Sequence, residues 1–308
     1  MIDSVLGIMV LYKPPMPQVT INIEAALKQV DRVLVVDNTP QQTVDQDYLK
    51  EIENLKAKYE SKFIIKKNDF NLGLPVSYNF AIEYAKRNNF KFLLLLDQDS
   101  NLTDNVVKKL LFSYNDLSNS FKVGAVCAIN KEEIKYPIDT YLWAFYERSG
   151  MYKNNDVREV ALAINSGFMA PLSVYEEVGK YDENYFLDCV DQEMCFRMIR
   201  HGYKIFILES AVVNHSEGKL IKGRVLFLEF YVKMNEPIRY YYISRGTLKL
   251  LSMHLFEFPS LSLILILSLV VRNLRIISFP SNRFKSWYFT FLGIIHFFKG
   301  ITGILPES

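Results

Sequence analysis

The stretch FLLLLDQDSN, residues 92–101, places four leucines in a row and ends them in two carboxylates separated by one residue. A strand on a half-exposed sheet alternates polar and apolar positions, so a strand apolar on both faces belongs in the middle of a parallel sheet covered by helices. Asp97 and Asp99 then sit where that strand leaves the core. Ligands of open α/β sheets bind at this edge, in loops that can be shaped without disturbing the packing below. A plainer reading makes Asp99 and Ser100 the cap of a helix beginning at VVKKLL. Gathering negative charge at a buried strand end, however, calls for a neutralising cation.

The surrounding pattern agrees. Apolar runs at SVLGIMVLY, DRVLVVD, KFIIKK and KFLLLLD alternate with helix-like stretches at TINIEAALKQ, DQDYLKEIENLKAKYE and PVSYNFAIEYAKRN. This βαβα rhythm predicts an α/β fold with a Rossmann-like, mostly parallel sheet flanked by helices. Beyond Ser100 the reading is a helix at VVKKLLFSY, a strand at KVGAVCAIN and a polar, aromatic-rich connection over residues 131–160. A strand at EVALAIN, the segment SGFMAP, a helix at SVYEEVG and the strands KIFILES and AVVNHSEG follow.

The last ninety residues differ in kind. Residues 219–308 carry a charge balance of +8 and residues 1–218 one of −6. LSLILILSLVV is apolar for 11 residues before Arg272, short of the ~20 needed to span a bilayer. With WYFTFLGIIHFFKG and Arg272, Arg275, Arg283 and Lys285, it suggests helices lying in an anionic membrane interface; packing on the domain or a dimer contact is the other reading. The division expected is 1–220 for an α/β domain and 221–308 for a basic, apolar helical region. The start, MIDSVLGIMVLYKPP, lacks a basic segment before its short apolar run, so it reads as a first strand rather than a signal peptide and implies cytoplasmic residence. Cys127, Cys189 and Cys195 have no metal-ligand spacing and read as core thiols.

Several features can converge on Asp97 and Asp99. VVDNTP puts Asp37 and Asn38 at the end of the second strand, where an acceptor can read a ribose or base edge; an Asx-type turn is the alternative. In NLGLPVSYN, Asn71 and Gly73 make a turn and Pro75 opens a helix whose free amides suit a diphosphate. In FLDCVDQEMCFRMIRHG, Val190, Met194 and Met198 recur at helical spacing, which sets Asp191 in the first turn and Gly202 at the stop. A helix N-terminus favours the ionised carboxylate that a general base needs; Asp188 as cap, with Asp191 a mere first-turn charge, is the alternative. Arg197 can pair with Glu193 at i, i+4. His215, just past a strand in NHSEG, can complete a cation site with the two aspartates, a donor set suited to Mg²⁺ or Mn²⁺.

Together these features resemble the inverting glycosyltransferases of family 2, which have the GT-A fold. VLYKPP, VVDN, NLGLPVSYN, DQDS as the DxD motif, an SG segment, the segment around Asp191 and a downstream His stand in the family's order over residues 4–220. DQDS and FLDCVDQEMCFR look like the rhamnosyltransferase branch, with the galactofuranosyltransferases close by. The resemblance implies transfer of rhamnose from dTDP-rhamnose, or of another sugar from a UDP-sugar, to a glycan or glycolipid acceptor of O-antigen or capsule type. It implies a divalent cation, Mg²⁺ or Mn²⁺, and a peripheral seat at the inner leaflet, with no nucleic acid partner. Carried onto this sequence, it puts Asp191 as the base and Asp97, Asp99 and His215 on the metal. Tyr12, Asp37, Asn38, Asn71, Gly73, Asn79 and Asp97 fall on the nucleotide, and Trp143, Ser166, Gly167 and Arg197 near the sugars. Val190 departs from the acid that many members carry before the base. Two other classes compete: a haloacid dehalogenase-type phosphatase, disfavoured by Asn101 where that group wants Thr or Val, and a non-catalytic sugar-nucleotide binder.

Overall fold

The computed structural model describes residues 3–44, 46–130, 152–154, 156–215, 220–225, 228–233, 236–278 and 283–305. Its first part is the alternation read above: β1 (Val5–Leu11), α1 (Gln18–Leu27), β2 (Arg32–Asp37), α2 (Gln46–Tyr59), β3 (Phe63–Lys67), α3 (Gly73–Arg87) and β4 (Phe92–Asp97). The four strands pair in parallel in the order β3-β2-β1-β4. The leucine run divides between two cores. Leu93 and Leu95 pack with Tyr78, Ala81 and Ile82 of α3 on one face. Phe92, Leu94 and Leu96 pack with Val19 and Ile23 of α1 and Ile52 of α2 on the other. Because consecutive strand residues point to opposite faces, a strand with helices on both sides has no position to give to a polar residue.

The second half is mixed, which corrects the expectation of a mostly parallel sheet. After β5 (Ser100–Leu102), α4 (Val106–Leu117) and β6 (Val123–Asn130) come β7 (Val157–Val160), β8 (Phe168–Pro171), α5 (Leu172–Val178), α6 (Val190–Arg200) and β9 (Lys204–His215). β8 runs antiparallel to both β4 and β6, and β5 and β7 run antiparallel to β9; only β6 and β9 pair in parallel. Among the described residues no helix stands between β7 and β8, and a strand that pairs antiparallel needs no crossover helix before it. The strand expected over EVALAIN stops at Val160, because the chain then turns toward Gly167, whose φ of +82° is left-handed. KIFILES and AVVNH join into one strand, β9, with a register shift against β6 near Ala128. The helix after Ser100 is capped at Asn105, so Asp99 is not its cap.

β10 (Leu220–Val225) and β11 (Leu228–Lys233) form an antiparallel hairpin, and α7 (Pro237–His254), α8 (Pro259–Ser278) and α9 (Arg283–Phe298) follow. These helices pack onto the α/β body. Leu250, Leu261 and Leu265 belong to the same buried cluster as Met194 and Met198 of α6. Gly246 on α7 lies so close to Cys189 that an added Cβ would stand 2.9 Å from its Sγ. Gly293 lets α9 lie directly on the Tyr241 backbone of α7. Among the described residues no helix is long and apolar enough to cross a membrane.

Candidate active site

The registers Val10↔Asp97 and Leu11↔Asp37 bring the ends of β1, β2 and β4 to one edge of the sheet. A crevice of about 1700 Å³ opens there. Tyr12, Lys13, Asn38, Asn71, Gly73, Asp97, Gln98 and Asp99 form its strand-end wall; Asp188, Asp191 and Gln192 stand at the start of α6. The turn that carries the two aspartates is held from below. Gln98 accepts the Tyr12 N–H at 3.0 Å, and Asn22 of α1 donates to the Gln98 carbonyl at 2.9 Å while accepting from Asn101 at 3.0 Å. Asn22 is buried. A polar residue inside the apolar stripe of α1 was the available signal for this support, and the sequence reading missed it.

Asn71 makes the expected turn, accepting the Gly73 N–H at 3.0 Å. Gly73 has φ +81°, and a Cβ there would lie 2.5 Å from the Phe186 carbonyl, whose oxygen also accepts the Leu74 N–H at 2.9 Å. Only glycine tolerates both conditions. Asn38 donates to Ser77 Oγ at 3.1 Å and accepts from Asn68 at 2.8 Å, fixing the end of β2 to the start of α3.

Asp191 is the second residue of α6, in its first turn as expected. Its Oδ1 accepts the Gln192 N–H at 2.9 Å. Burial raises its pKa to about 6, the Gln192 amide opposes the shift, and the negative charges of Asp188 and then Asp97 add to it. The result is a carboxylate ionised at neutral pH yet basic enough to take a proton, which is the compromise general-base catalysis favours. Asp188 is not a cap: it holds Arg239 of α7 through Nη2 at 2.6 Å. The carboxylates of Asp188, Asp97 and Asp191 all favour the charged guanidinium. This pair was not read from sequence, because its members lie 51 residues apart.

Other residues singled out from sequence take different places. Asp37 is buried, and both its oxygens are engaged, one by the Thr39 N–H at 2.9 Å and one by the Tyr48 hydroxyl. Asn79 bonds Tyr181 and Glu183, tying α3 to the loop before α6. Arg197 pairs with Glu193 at 2.8 Å as expected and donates to the Val178 carbonyl at 2.8 Å, so its guanidinium braces α6 against α5. Ser166 bonds Ser100 at 2.5 Å, and Gly167 is stitched between β4 and β6 by Gly167 N–H to Leu95 and Ala128 N–H to Gly167. They adjoin the strands on either side of the Asp97–Asp99 turn, while Ile164 and Asn165 line the crevice. His215 pairs in register with Ser100, one residue past Asp99; its side chain lies outside the described residues, as does Trp143. Among the described residues no three His, Cys, Asp or Glu groups form a metal cage.

The opposite wall was not foreseen. Leu265, Ser268, Leu269 and Arg272 of α8 and Tyr288, Phe289, Leu292 and His296 of α9 face the same space as the strand ends. The crevice is thus polar and acidic on one side and largely apolar on the other.

Comparison with known proteins agrees with this geometry. Residues 11–178 match the family described as Glycosyl transferase family 2. The dTDP-rhamnosyl transferase RfbF of Shigella flexneri is 26% identical over 98% of this chain and 97% of its own. The O-antigen chain rhamnosyltransferase RfbN of Salmonella typhimurium is 27% identical over 64% of this chain and 62% of its own. The fold is also that of the mannosyltransferase PcManGT from Pyrobaculum calidifontis, solved with GDP-Man and Mn²⁺, at a TM-score of 0.58 and 12% identity over 96% of this chain and 86% of that one. A family match over more than half of the chain leaves no place for the phosphatase reading of its two aspartates. The chain belongs to glycosyltransferase family 2.

Proposed function

We propose that the protein is an inverting rhamnosyltransferase, moving rhamnose from dTDP-rhamnose onto a lipid-linked intermediate of a bacterial surface polysaccharide of O-antigen or capsule type. The observation that carries this reading is the end-to-end likeness to a dTDP-rhamnosyl transferase, which spans both the α/β part and the C-terminal helices. The reading assigns donor chemistry to residues 1–220 and acceptor placement to residues 221–308.

The residues at the β4 end fit a divalent cation. Asp97 and Asp99 are hard oxygen donors at one turn, and β9 brings the backbone of His215 beside them. Mg²⁺ and Mn²⁺ bind through one or two carboxylates plus substrate phosphates, so a complete protein cage is not required. Asp97, Asp99 and His215 would hold the ion. When bound, it supplies a positive charge that stabilises the departing nucleoside diphosphate. Tyr12, Asn38, Asn71 and Gly73 shape the nucleotide side. Asp191 takes the proton of the acceptor hydroxyl as that oxygen attacks the anomeric carbon, and Arg239, held by Asp188, keeps positive charge beside the carboxylates. Attack from the face opposite the leaving group inverts the anomeric centre without a covalent intermediate.

The outer faces of α8 and α9 support a peripheral seat on the inner face of the plasma membrane. Leu263, Leu267, Val270 and Leu274 on α8, and Phe284, Phe291, Ile295 and Phe298 on α9, recur at helical spacing and are exposed. Residues 258–306 contain five Lys and Arg and no Asp or Glu. Apolar stripes with basic neighbours suit an anionic interface.

The test is donor turnover across a panel of sugar nucleotides, with Mg²⁺ or Mn²⁺ and with EDTA. Preference for dTDP-rhamnose that vanishes with EDTA supports the reading. Preference for a UDP-sugar overturns the rhamnose assignment, and turnover untouched by EDTA overturns the metal site.

A further inference from the structure

α8 presents two distinct faces. One is the exposed stripe; the other, Leu265, Ser268, Leu269 and Arg272, follows the i, i+3, i+4, i+7 pattern of a single helix face and lines the crevice. On α9, Phe289, Leu292 and His296 do the same. At about 1700 Å³ the crevice is larger than the ~300–1,000 Å³ that holds one small molecule. The strand-end wall accounts for a nucleotide sugar, which leaves the helical wall for something else.

Two details say what that is. Ser268 is 8% exposed, and its hydroxyl has no hydrogen-bond partner among the described residues, although it lies one turn from Arg272 on the crevice face. A buried hydroxyl without a partner is costly, so it marks a place where a ligand atom belongs. Hydrocarbon lines the same crevice at Leu269, Phe289, Leu292, Ile304 and Leu305. Ile304 is 54% exposed and Tyr288 60%, and both also line the crevice, so its rim reaches the protein surface there. Arg272, Cys189 and Asp191 line the same crevice, so this wall shares its space with the candidate base.

We propose that the helical half of the crevice is the binding site of an amphiphilic acceptor, with a phosphate head group on Ser268 and Arg272 and a hydrocarbon chain along Leu269, Phe289, Leu292 and Ile304. The chain leaves over the rim at Tyr288 and Ile304 toward the exposed faces of α8 and α9. This rests on the transferase reading and adds to it the part of the protein that recognises the acceptor's lipid. Phosphate on a guanidinium is chemistry that donor and acceptor share; the hydrocarbon chain separates them.

Octyl, decyl and dodecyl phosphate, titrated into the full-length protein with and without dTDP, test the site. Each two-carbon extension is expected to tighten binding about fifteenfold, as burial of both methylene groups requires. Dodecyl phosphate and dTDP should bind together. Arg272→Gln should weaken all three alkyl phosphates about tenfold with the chain-length dependence intact, whereas Leu269→Asp should flatten that dependence. Leu292→Gln serves the same purpose if Leu269→Asp does not fold. Binding independent of chain length, or displacement of dodecyl phosphate by dTDP, overturns the proposal. So does a dependence that survives Leu269→Asp and Leu292→Gln but is lost in a Phe284→Ser, Phe291→Ser, Phe298→Ser variant, which would place the chain on the outer surface. The transferase reading fails separately, if the parent protein does not bind dTDP.

Discussion

Asp191→Asn is predicted to slow transfer severely and to stabilise the protein. Burial is the main reason the carboxyl titrates near 6 instead of 3.8. Each pKa unit corresponds to about 1.4 kcal/mol, so keeping Asp191 ionised costs the folded state up to about 3 kcal/mol at pH 8. The sign is set by the direction of the shift. Because the folded protein holds this proton more tightly than the unfolded chain, the group favours folding below about pH 4. That contribution is lost as pH rises through 6. Asparagine keeps an oxygen for the Gln192 N–H at 2.9 Å and carries no charge. Denaturant unfolding of both proteins without added metal should therefore coincide near pH 4 and diverge by pH 7 to 8, with the variant the more stable. In the transfer assay the same variant should lose about 10²- to 10⁴-fold in kcat, the contribution of a general base. A variant that unfolds earlier than the parent at pH 8, or a difference that does not change with pH, refutes the burial argument. Undiminished turnover refutes the assignment of the base.

Other perturbations follow from the same contacts. Arg239→Gln removes the cation beside Asp188 and Asp191 and leaves Asp188, whose side chain is 10% exposed, unpaired; the acidic limb of the kcat/KM profile should move above pH 6, and an unmoved limb would show that the pair does not act on Asp191. Gly73→Ala forces a left-handed backbone and a Cβ 2.5 Å from the Phe186 carbonyl; it should destabilise the protein by about 2 kcal/mol or more and raise the KM for the donor, read by chemical unfolding and by kinetics. Asp99→Ala should weaken Mn²⁺ binding, with half-saturation rising at least about tenfold in a metal titration. Phe284→Ser, Phe291→Ser and Phe298→Ser combined should reduce flotation with phosphatidylglycerol vesicles relative to phosphatidylcholine alone, and flotation equal to the parent's would remove these faces from membrane contact.

Features announced by local chemistry were legible in the sequence. The doubly apolar β4, the Asn71–Gly73 turn and the first-turn position of Asp191 all follow from a few neighbouring residues. What escaped depends on partners far along the chain. Asp37 stands at the strand end as read, but its bond to Tyr48 of α2 is not announced by its neighbours. The bonds of Asn79 and Arg197 to the carbonyls of Tyr181 and Val178 are likewise invisible in local sequence. The mixed second half of the sheet turns on how β8 enters, and its short run FMAP carries no mark of direction. The basic, apolar composition of the last ninety residues pointed to an interface but not to their second face. That α8 and α9 also wall the crevice is a matter of tertiary packing, legible only in the close approach of Gly246 to Cys189 and of Gly293 to Tyr241.

The central claim is a single displacement with Asp191 as base, and the anomeric configuration of the product tests it most directly. NMR of the glycoside formed from dTDP-rhamnose should show the configuration opposite to the donor's, with its formation severely slowed in Asp191→Asn. A product that retains the donor's configuration would require a covalent or front-face route and would contradict the account.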